Sequence, residues 1–197
     1  MIGAIIAGGA NSRFGGEAKG LLTVGGTRII DRVARALRGV TTDLVVVSSA
    51  PDAGEWIPGI PVAADVRQER VSLVGIHTAL SYASGTVMVV AWDMPFVTAG
   101  LLQRIRDRGR DEEFATVPET VNGPEPFCAM YAPSCLPMVE AALDAGAFRM
   151  SSVLQRFPSI TRVASEELVR FGSPARLFFN VNDARDLQAA EKMAAGA

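Results

Sequence analysis

Lysine is almost missing from this chain: of 19 basic residues only Lys19 and Lys192 are lysines, the rest being arginine. A compact ammonium and a planar guanidinium contact phosphate differently, so a lysine in an amino-terminal loop of an arginine-using chain points to a position chosen for geometry. Histidine is scarcer still. His77 stands alone, without a second histidine for a zinc ligand pair, and no G-x-S-x-G elbow occurs, so zinc chemistry and triad hydrolysis lose their main support. Cys128 and Cys135 have six residues between them and no C-x-x-C pair, which predicts buried free thiols rather than a metal site or a disulfide framework. A net charge of -2 supplies no basic footprint for duplex nucleic acid. Apolar runs such as residues 86–92 are far too short to span a bilayer, and the amino terminus lacks the charged-then-apolar layout of a secretory signal. The expectation is a cytoplasmic protein with neither nucleic acid nor membrane as a partner.

What the chain does have is apolar residues, 49% of 197, enough for one domain of ordinary size, 1–197, with a sizeable core. Strand-like runs at residues 3–7, 43–48, 61–64 and 87–91 alternate with helical spacing. After the first run, Ile29, Ile30, Val33, Ala34 and Leu37 fall on one helix face. Strand and helix in alternation imply an α/β fold, a mostly parallel sheet with helices on both faces. Thr98 is placed to cap a helix carrying Leu101, Leu102 and Ile105, which puts residues 92–96 at a strand's carboxyl end, where open α/β sheets bind ligands. The second half is less regular, with strands at 114–119 and 127–132 around an Asn122-Gly123-Pro124 turn and helices at 134–145 and 151–157. A last helix begins near Asp183 as N-cap with Asp186 three residues on, and is expected to lie against the sheet through Leu187, Ala190 and Met193. Trp56, Phe148 and Phe157 read as packing residues.

The densest signal is residues 4–22, where an apolar run breaks into a glycine-rich loop carrying Arg13 and Lys19. Glycines let backbone N–H groups approach a phosphate or base closely, and cations offset the charge of a triphosphate. The loop is not a P-loop, because Ala18 rather than glycine precedes Lys19, and it is not G-x-G-x-x-G. Taken as a loop alone, Arg13 and Lys19 read equally well as solvated charges, with Lys19 facing solvent until a ligand arrives. Asp93 ends an apolar run ahead of Pro95, so it either offers an oxygen ligand to the crevice or caps a turn. Asp65 ends the 61–64 run in the same way, with the same two readings. Asn180 and Asn182 alternate about Val181 on a strand-like segment, which predicts that both face one side while Val181 points to the core. Arg149 reads as a solvated helix-end charge.

Three ordered pieces resemble the molybdenum cofactor guanylyltransferases. Ile6-Ala7-Gly8-Gly9, Arg13-Phe14-Gly15-Gly16 and Lys19-Gly20-Leu21-Leu22 are similar to that family's L-A-G-G-x-x-x-R-M-G-G-x-D-K-G-L-L. Residues 90–96, Val-Ala-Trp-Asp-Met-Pro-Phe, resemble its C-D-M-P-F turn, and residues 178–183, Phe-Phe-Asn-Val-Asn-Asp, its F-x-N-[IV]-N-T-P-E-D-L ending. The resemblance implies a Rossmann-like domain of the nucleotide-diphospho-sugar transferase type that moves GMP from GTP to the terminal phosphate of molybdenum-loaded molybdopterin, releasing pyrophosphate. It further implies that Ile6, Ala7, Gly8 and Gly9 floor the base, Arg13 meets the triphosphate, and Lys19 bridges the base side and the α-phosphate. Asp93 would hold Mg²⁺, Asp65 would lie near the nucleotide, and Asn180 and Asn182 would approach the reacting phosphates; other molybdenum cofactor biosynthesis proteins are the implied protein partners.

The chain departs from the family pattern at Ala18 (usually aspartate), at Val71-Ser72 (usually glycine-proline), at Trp92 (usually cysteine), and at Ser48, Ser49 and Ala50, where some members carry asparagine. These differences bear on base and acceptor more than on reaction type. Cytidylyl transfer to molybdopterin, or guanylyl transfer to another phosphorylated small acceptor, is therefore the nearest alternative. A non-catalytic nucleotide-binding regulator is the alternative from a different class.

Overall fold

The computed structural model describes residues 1–7, 13–14, 17–67, 69, 71–109 and 114–196, with the backbone alone at Arg13, Phe14 and Glu17. The chain opens with β1 (Ile2–Ile6), followed by a hairpin of β2 (Arg13–Phe14) with β3 (Glu17–Ala18), a 3₁₀ turn over Lys19–Leu21, and a hairpin of β4 (Thr23–Val24) with β5 (Thr27–Arg28). The two residues joining β4 to β5 are Gly25 and Gly26, with φ of 56° and 71°. A two-residue hairpin turn with positive φ at both positions excludes ordinary side chains, so Gly-Gly fixes this bend.

Alternation then sets in: α1 (Ile29–Arg38), β6 (Asp43–Val47), α2 (Ala53–Trp56), β7 (Val62–Ala63), α3 (Ser72–Tyr82), β8 (Val87–Ala91) and α4 (Ala99–Arg108). The remaining elements are β9 (Ala115–Thr120), β10 (Gly123–Pro124), β11 (Cys128–Tyr131), α5 (Leu136–Asp144), α6 (Met150–Leu154), β12 (Ile160–Val163), α7 (Ser165–Leu168), α8 (Pro174–Leu177) and α9 (Ala184–Ala195).

An eight-stranded sheet runs in the order β10-β9-β11-β8-β1-β6-β7, with β12 also on β9. β1 lies between β6 and β8, parallel to both, so that Ile6 stands opposite Val47 on one side and Ala91 on the other. β11 runs antiparallel to β8, which makes the first half of the sheet parallel and the second half mixed. Strand periodicity sorts the core: Ile5 joins Ile30, Val33, Leu37, Leu101, Leu102 and Ile105 from α1 and α4. Ala4 and Ile6 join Leu73, Ile76, Leu80, Val139 and Ala142 from α3 and α5 on the other face. Each fully buried leucine, isoleucine or valine stabilises the fold by about 1.5–3 kcal/mol, so the apolar stripe of α1 decides which way that helix rolls. Helix starts follow the sequence: Thr98 Oγ1 accepts from Leu101 N at 3.2 Å, and Asp183 and Asp186 form a reciprocal capping box.

Three expectations change. The last helix does not lie on the large sheet: Ala190, with Leu187 and Met193, packs on Val24, Ile29, Phe96 and Val181. The β4–β5 hairpin intervenes, and Gly25 N donates to Glu191 Oε2 at 3.1 Å to hold the helix there. Phe157 is buried but Phe148 is exposed. The helix expected at 134–145 divides into a 3₁₀ turn over Pro133–Cys135 and then α5, because Pro137 falls in the helix's first turn, where its missing N–H costs nothing. Cys128 and Cys135 are buried free thiols. Among the described residues no helix is long and apolar enough to cross a membrane.

Candidate active site

The parallel strands end together. Ala7 N donates to Val47 O at 2.9 Å and Trp92 N to Ile6 O at 3.1 Å, so the residues leaving β1, β6 and β8 share one edge of the sheet. Ser48 Oγ donates to Ala7 O at 3.1 Å and accepts from Ala50 N at 3.2 Å. Asp65 N donates to Ser49 Oγ at 3.0 Å, and Thr78 Oγ1 donates to Asp65 Oδ1 at 3.3 Å. Short hydroxyls at 48 and 49 thus tie three strand ends where a longer amide side chain would reach past them. Burial raises the Asp65 carboxyl above its ordinary range, against the pull of the Thr78 and Ser49 hydroxyls.

Lys19 is not solvent-facing, as a mobile loop lysine would be; it is 5% exposed. Two features hold it down. The turn carrying it is pressed onto Trp92, since a Cβ at Gly20 would lie 2.5 Å from Trp92 Cε3, and Trp92 in turn stacks on Trp56 with ring centres 4.9 Å apart. From the other end of the chain, Asn182 Oδ1 accepts from Lys19 Nζ at 3.2 Å.

Asp93 sits beside this pair. Its backbone carbonyl accepts from Val181 N at 2.9 Å, which pins the 180–182 segment to the β8 end. Its Oδ1 is sequestered and has no hydrogen-bond partner among the described residues. Burial pushes the Asp93 carboxyl up, opposed by its own backbone N–H and by the nearby Lys19 charge. A sequestered carboxylate oxygen without a donor is costly, and the cost is relieved by a cation or a donor from a ligand. Among the described residues no group of three or more His, Cys, Asp or Glu gathers to hold a metal. Asp93 would be the residue to hold a divalent ion at this edge, since magnesium favours a carboxylate together with phosphate oxygens and water.

A family model described as the MobA-like NTP transferase domain matches residues 3–161. The chain belongs to this family. A protein described as molybdenum cofactor guanylyltransferase from Desulfosudis oleivorans is 34% identical over 97% of this chain and 94% of its own length. One described as probable molybdenum cofactor guanylyltransferase from Deinococcus radiodurans is 33% identical over 95% of this chain and 92% of its own. Among solved structures, molybdopterin-guanine dinucleotide biosynthesis protein A from Archaeoglobus fulgidus superposes with a TM-score of 0.81 at 27% identity, covering 100% of both chains. The 2-C-methyl-D-erythritol 4-phosphate cytidylyltransferase of Thermus thermophilus shares the fold alone, with a TM-score of 0.66 at 18% identity.

For this MobA-like domain, the structure gathers Lys19, Asp93 and Asn182 and places Ile6 and Ala7 buried at the end of β1. Gly8 and Gly9 lie outside the described residues, and of Arg13 only the backbone is described, in β2 opposite Ala18. The strand expected over residues 180–182 is absent. Asn180 Nδ2 turns back to Phe178 O at 2.9 Å, Val181 is buried, and only Asn182 reaches Lys19. The capping box that begins α9 at Asp183 leaves this segment no length for a ladder, and Val181 N spends its hydrogen bond on Asp93. Arg149 is exposed at the start of α6. His77 packs between α3 and α5, 3.3 Å from Glu140, away from the strand ends.

Glu125 was not singled out by the sequence. It precedes β11 on the turn whose Phe127 O accepts from Ala91 N at 2.8 Å, so it stands at the same edge as Asp93, and burial lifts its carboxyl to about 7. The available signal was an acid enclosed by Pro124 and Pro126 directly before a strand.

Proposed function

We propose that this chain transfers GMP from GTP to the terminal phosphate of molybdenum-loaded molybdopterin, releasing pyrophosphate and forming the guanine dinucleotide. The observation that carries the reading is the Lys19–Asn182 pair beside an oxygen of Asp93 that has no partner among the described residues, at the carboxyl edge of the parallel strands, in a chain of the MobA-like family. A phosphate monoester is already anionic at neutral pH, so the acceptor attacks the α-phosphorus without a general base. What the protein must supply is position and charge neutralisation.

Lys19 has three N–H donors; one is held by Asn182, which aims the ammonium and leaves the others for the α-phosphate. Arg13 meets the outer phosphates, and the backbone at Ile6, Ala7, Gly8 and Gly9 reads the guanine edge. Asp93 is the residue that would hold Mg²⁺, and its donor-free oxygen fits that ion. When bound, the ion would neutralise charge on the phosphates. Asp65 lies at the adjoining strand end toward the nucleotide, and Asn180 shapes the loop that presents Asn182. GTP as substrate places the work in the cytoplasm.

The test offers molybdopterin with α-labelled GTP, CTP and ATP in competition. A site built for the guanine edge leaves its own polar groups unpaired with the wrong base, about 1–3 kcal/mol per group. Label is expected to arrive from GTP. Transfer from CTP in preference would replace the base assignment, and transfer from none would leave a nucleotide-binding regulator.

A further inference from the structure

Two residues beyond Asp93, Pro95 and Phe96 form one wall of a separate cleft of about 440 Å³. Arg32 and Arg35 of α1 and Arg176 of α8 line it, and Phe171 closes it on the apolar side. No acidic residue is among the described residues that line it. Three arginines line this cleft in a chain whose net charge is -2, so the cleft runs against the overall balance.

Two of the three are held in place by backbone carbonyls. Arg32 Nε donates to Val24 O at 3.0 Å, and its Nη2 uses the same acceptor, leaving Nη1 unengaged among the described residues. Arg176 Nη1 donates to Met193 O at 2.8 Å, with its guanidinium carbon 4.6 Å from the centre of the Phe96 ring, leaving its second amino arm unengaged among the described residues. Arg35 is exposed and has no partner among the described residues. Of the acids on α1 and α9, Asp31 pairs with Arg28 at 2.7 Å, and Glu191 is turned to Gly25 N at the β4–β5 bend. Carbonyl contacts neutralise none of the three charges. Like charges in one cleft repel, and a multiply charged oxyanion relieves the repulsion while matching the guanidinium fork. Phe96 and Phe171 exclude water from one side, which strengthens the attraction.

We propose that this cleft binds a phosphate-bearing small anion at a site of its own, distinct from the one formed by Lys19, Asn182 and Asp93. The proposal stands on the cleft's geometry and charge and does not depend on the guanylyl reading. Inorganic phosphate and pyrophosphate are the probes, titrated calorimetrically into the whole protein and into Lys19→Ala, which weakens phosphate binding at the strand ends about ten- to a hundredfold. One binding event is expected to persist in Lys19→Ala. A charge-assisted hydrogen bond accounts for roughly ten- to a hundredfold in affinity, so the persisting event should weaken at least about tenfold in Lys19→Ala/Arg35→Glu and in Lys19→Ala/Arg176→Ala. Arg35 has no hydrogen-bond or ion-pair partner among the described residues, so its variant should melt with its parent. Tighter binding of pyrophosphate than of phosphate would assign a diphosphate to the cleft, and equal binding a single phosphoryl group. No event in Lys19→Ala, or an event indifferent to both arginines, overturns the proposal.

Discussion

Asp93→Asn is expected to make the protein more stable and nearly inactive. Asp93 Oδ1 is sequestered without a donor among the described residues, and burial holds its carboxyl above the ordinary aspartate range. An unsatisfied buried polar atom costs about 1–3 kcal/mol, and more when charged. Asparagine keeps the shape and removes the charge, so the free protein should gain on the order of 1 kcal/mol. In a chain of this length that is a rise of about 2–4 °C in melting temperature. The sign with pH follows. A carboxyl whose pKa is higher in the folded than in the unfolded state stabilises the fold at low pH, and that contribution is lost as pH rises from the unfolded toward the folded value; the variant should lose this slope. Activity should move the other way, because the only carboxylate assigned to the ion is gone. Several kcal/mol of charge stabilisation correspond to a rate loss on the order of a hundredfold or more. Thermal melts in chelator and the magnesium dependence of pyrophosphate release measure the two sides. If Asp93 serves only as a turn cap, asparagine caps as well and the enzyme keeps its rate. An unchanged rate with an unchanged magnesium requirement, or a variant that melts well below its parent, refutes the reasoning.

Lys19→Ala should lower transfer about ten- to a hundredfold and destabilise by about 1 kcal/mol, since Asn182 Oδ1 loses its donor; single-turnover rates and urea titration read both, and Lys19→Arg should not restore the rate because a planar fork replaces a point charge. Trp92→Cys, the residue usual in the resembled family, should destabilise by about 3–5 kcal/mol through loss of a buried indole stacked on Trp56. Gly20→Ala should be costly in the parent, where its Cβ meets that indole, and much cheaper in the Trp92→Cys background; additive costs in the double-mutant cycle would refute the contact. Glu125, lifted from 4.5 to about 7 by burial, keeps its proton longer in the folded state, so stability should fall as pH climbs through that interval, by at most about 3 kcal/mol at about 1.4 kcal/mol per unit. Glu125→Gln should flatten urea-derived stability between pH 4.5 and 8, and a persisting slope of that size would assign it elsewhere.

The α/β layering was legible because its causes are local. The run at β1 is apolar at every position, as a strand covered on both faces must be, and Ile29, Ile30, Val33, Ala34 and Leu37 mark one helix face that is buried throughout. Thr98 and Asp183 announced helix starts by chemistry that acts within four residues. What the sequence did not disclose depends on partners far along the chain. Lys19 looked solvated because nothing near it in sequence says that Asn182 will meet its ammonium or that Trp92 will press on Gly20. Residues 180–182 alternate as a strand does, yet Val181 N bonds to Asp93 rather than to a neighbouring strand. The seat of α9 was misplaced for the same reason: its apolar stripe is real, but periodicity cannot say which of two surfaces receives it.

The Lys19–Asn182 hydrogen bond joins residues 163 positions apart, and this separation governs when the site comes into being. Closing so long a loop is entropically expensive until the intervening sheet has formed, so the contact belongs among the late events of folding. During synthesis β1, α1 and β8 can pair and bury their faces while residues 180–182 are still unmade. Through that interval Asp93 has no Val181 across from it and Lys19 has no carbonyl to orient it. On the proposed assignment, growing chains would carry a folded scaffold without a completed reaction centre, and the ability to act on substrate would arrive only when the last segment docks.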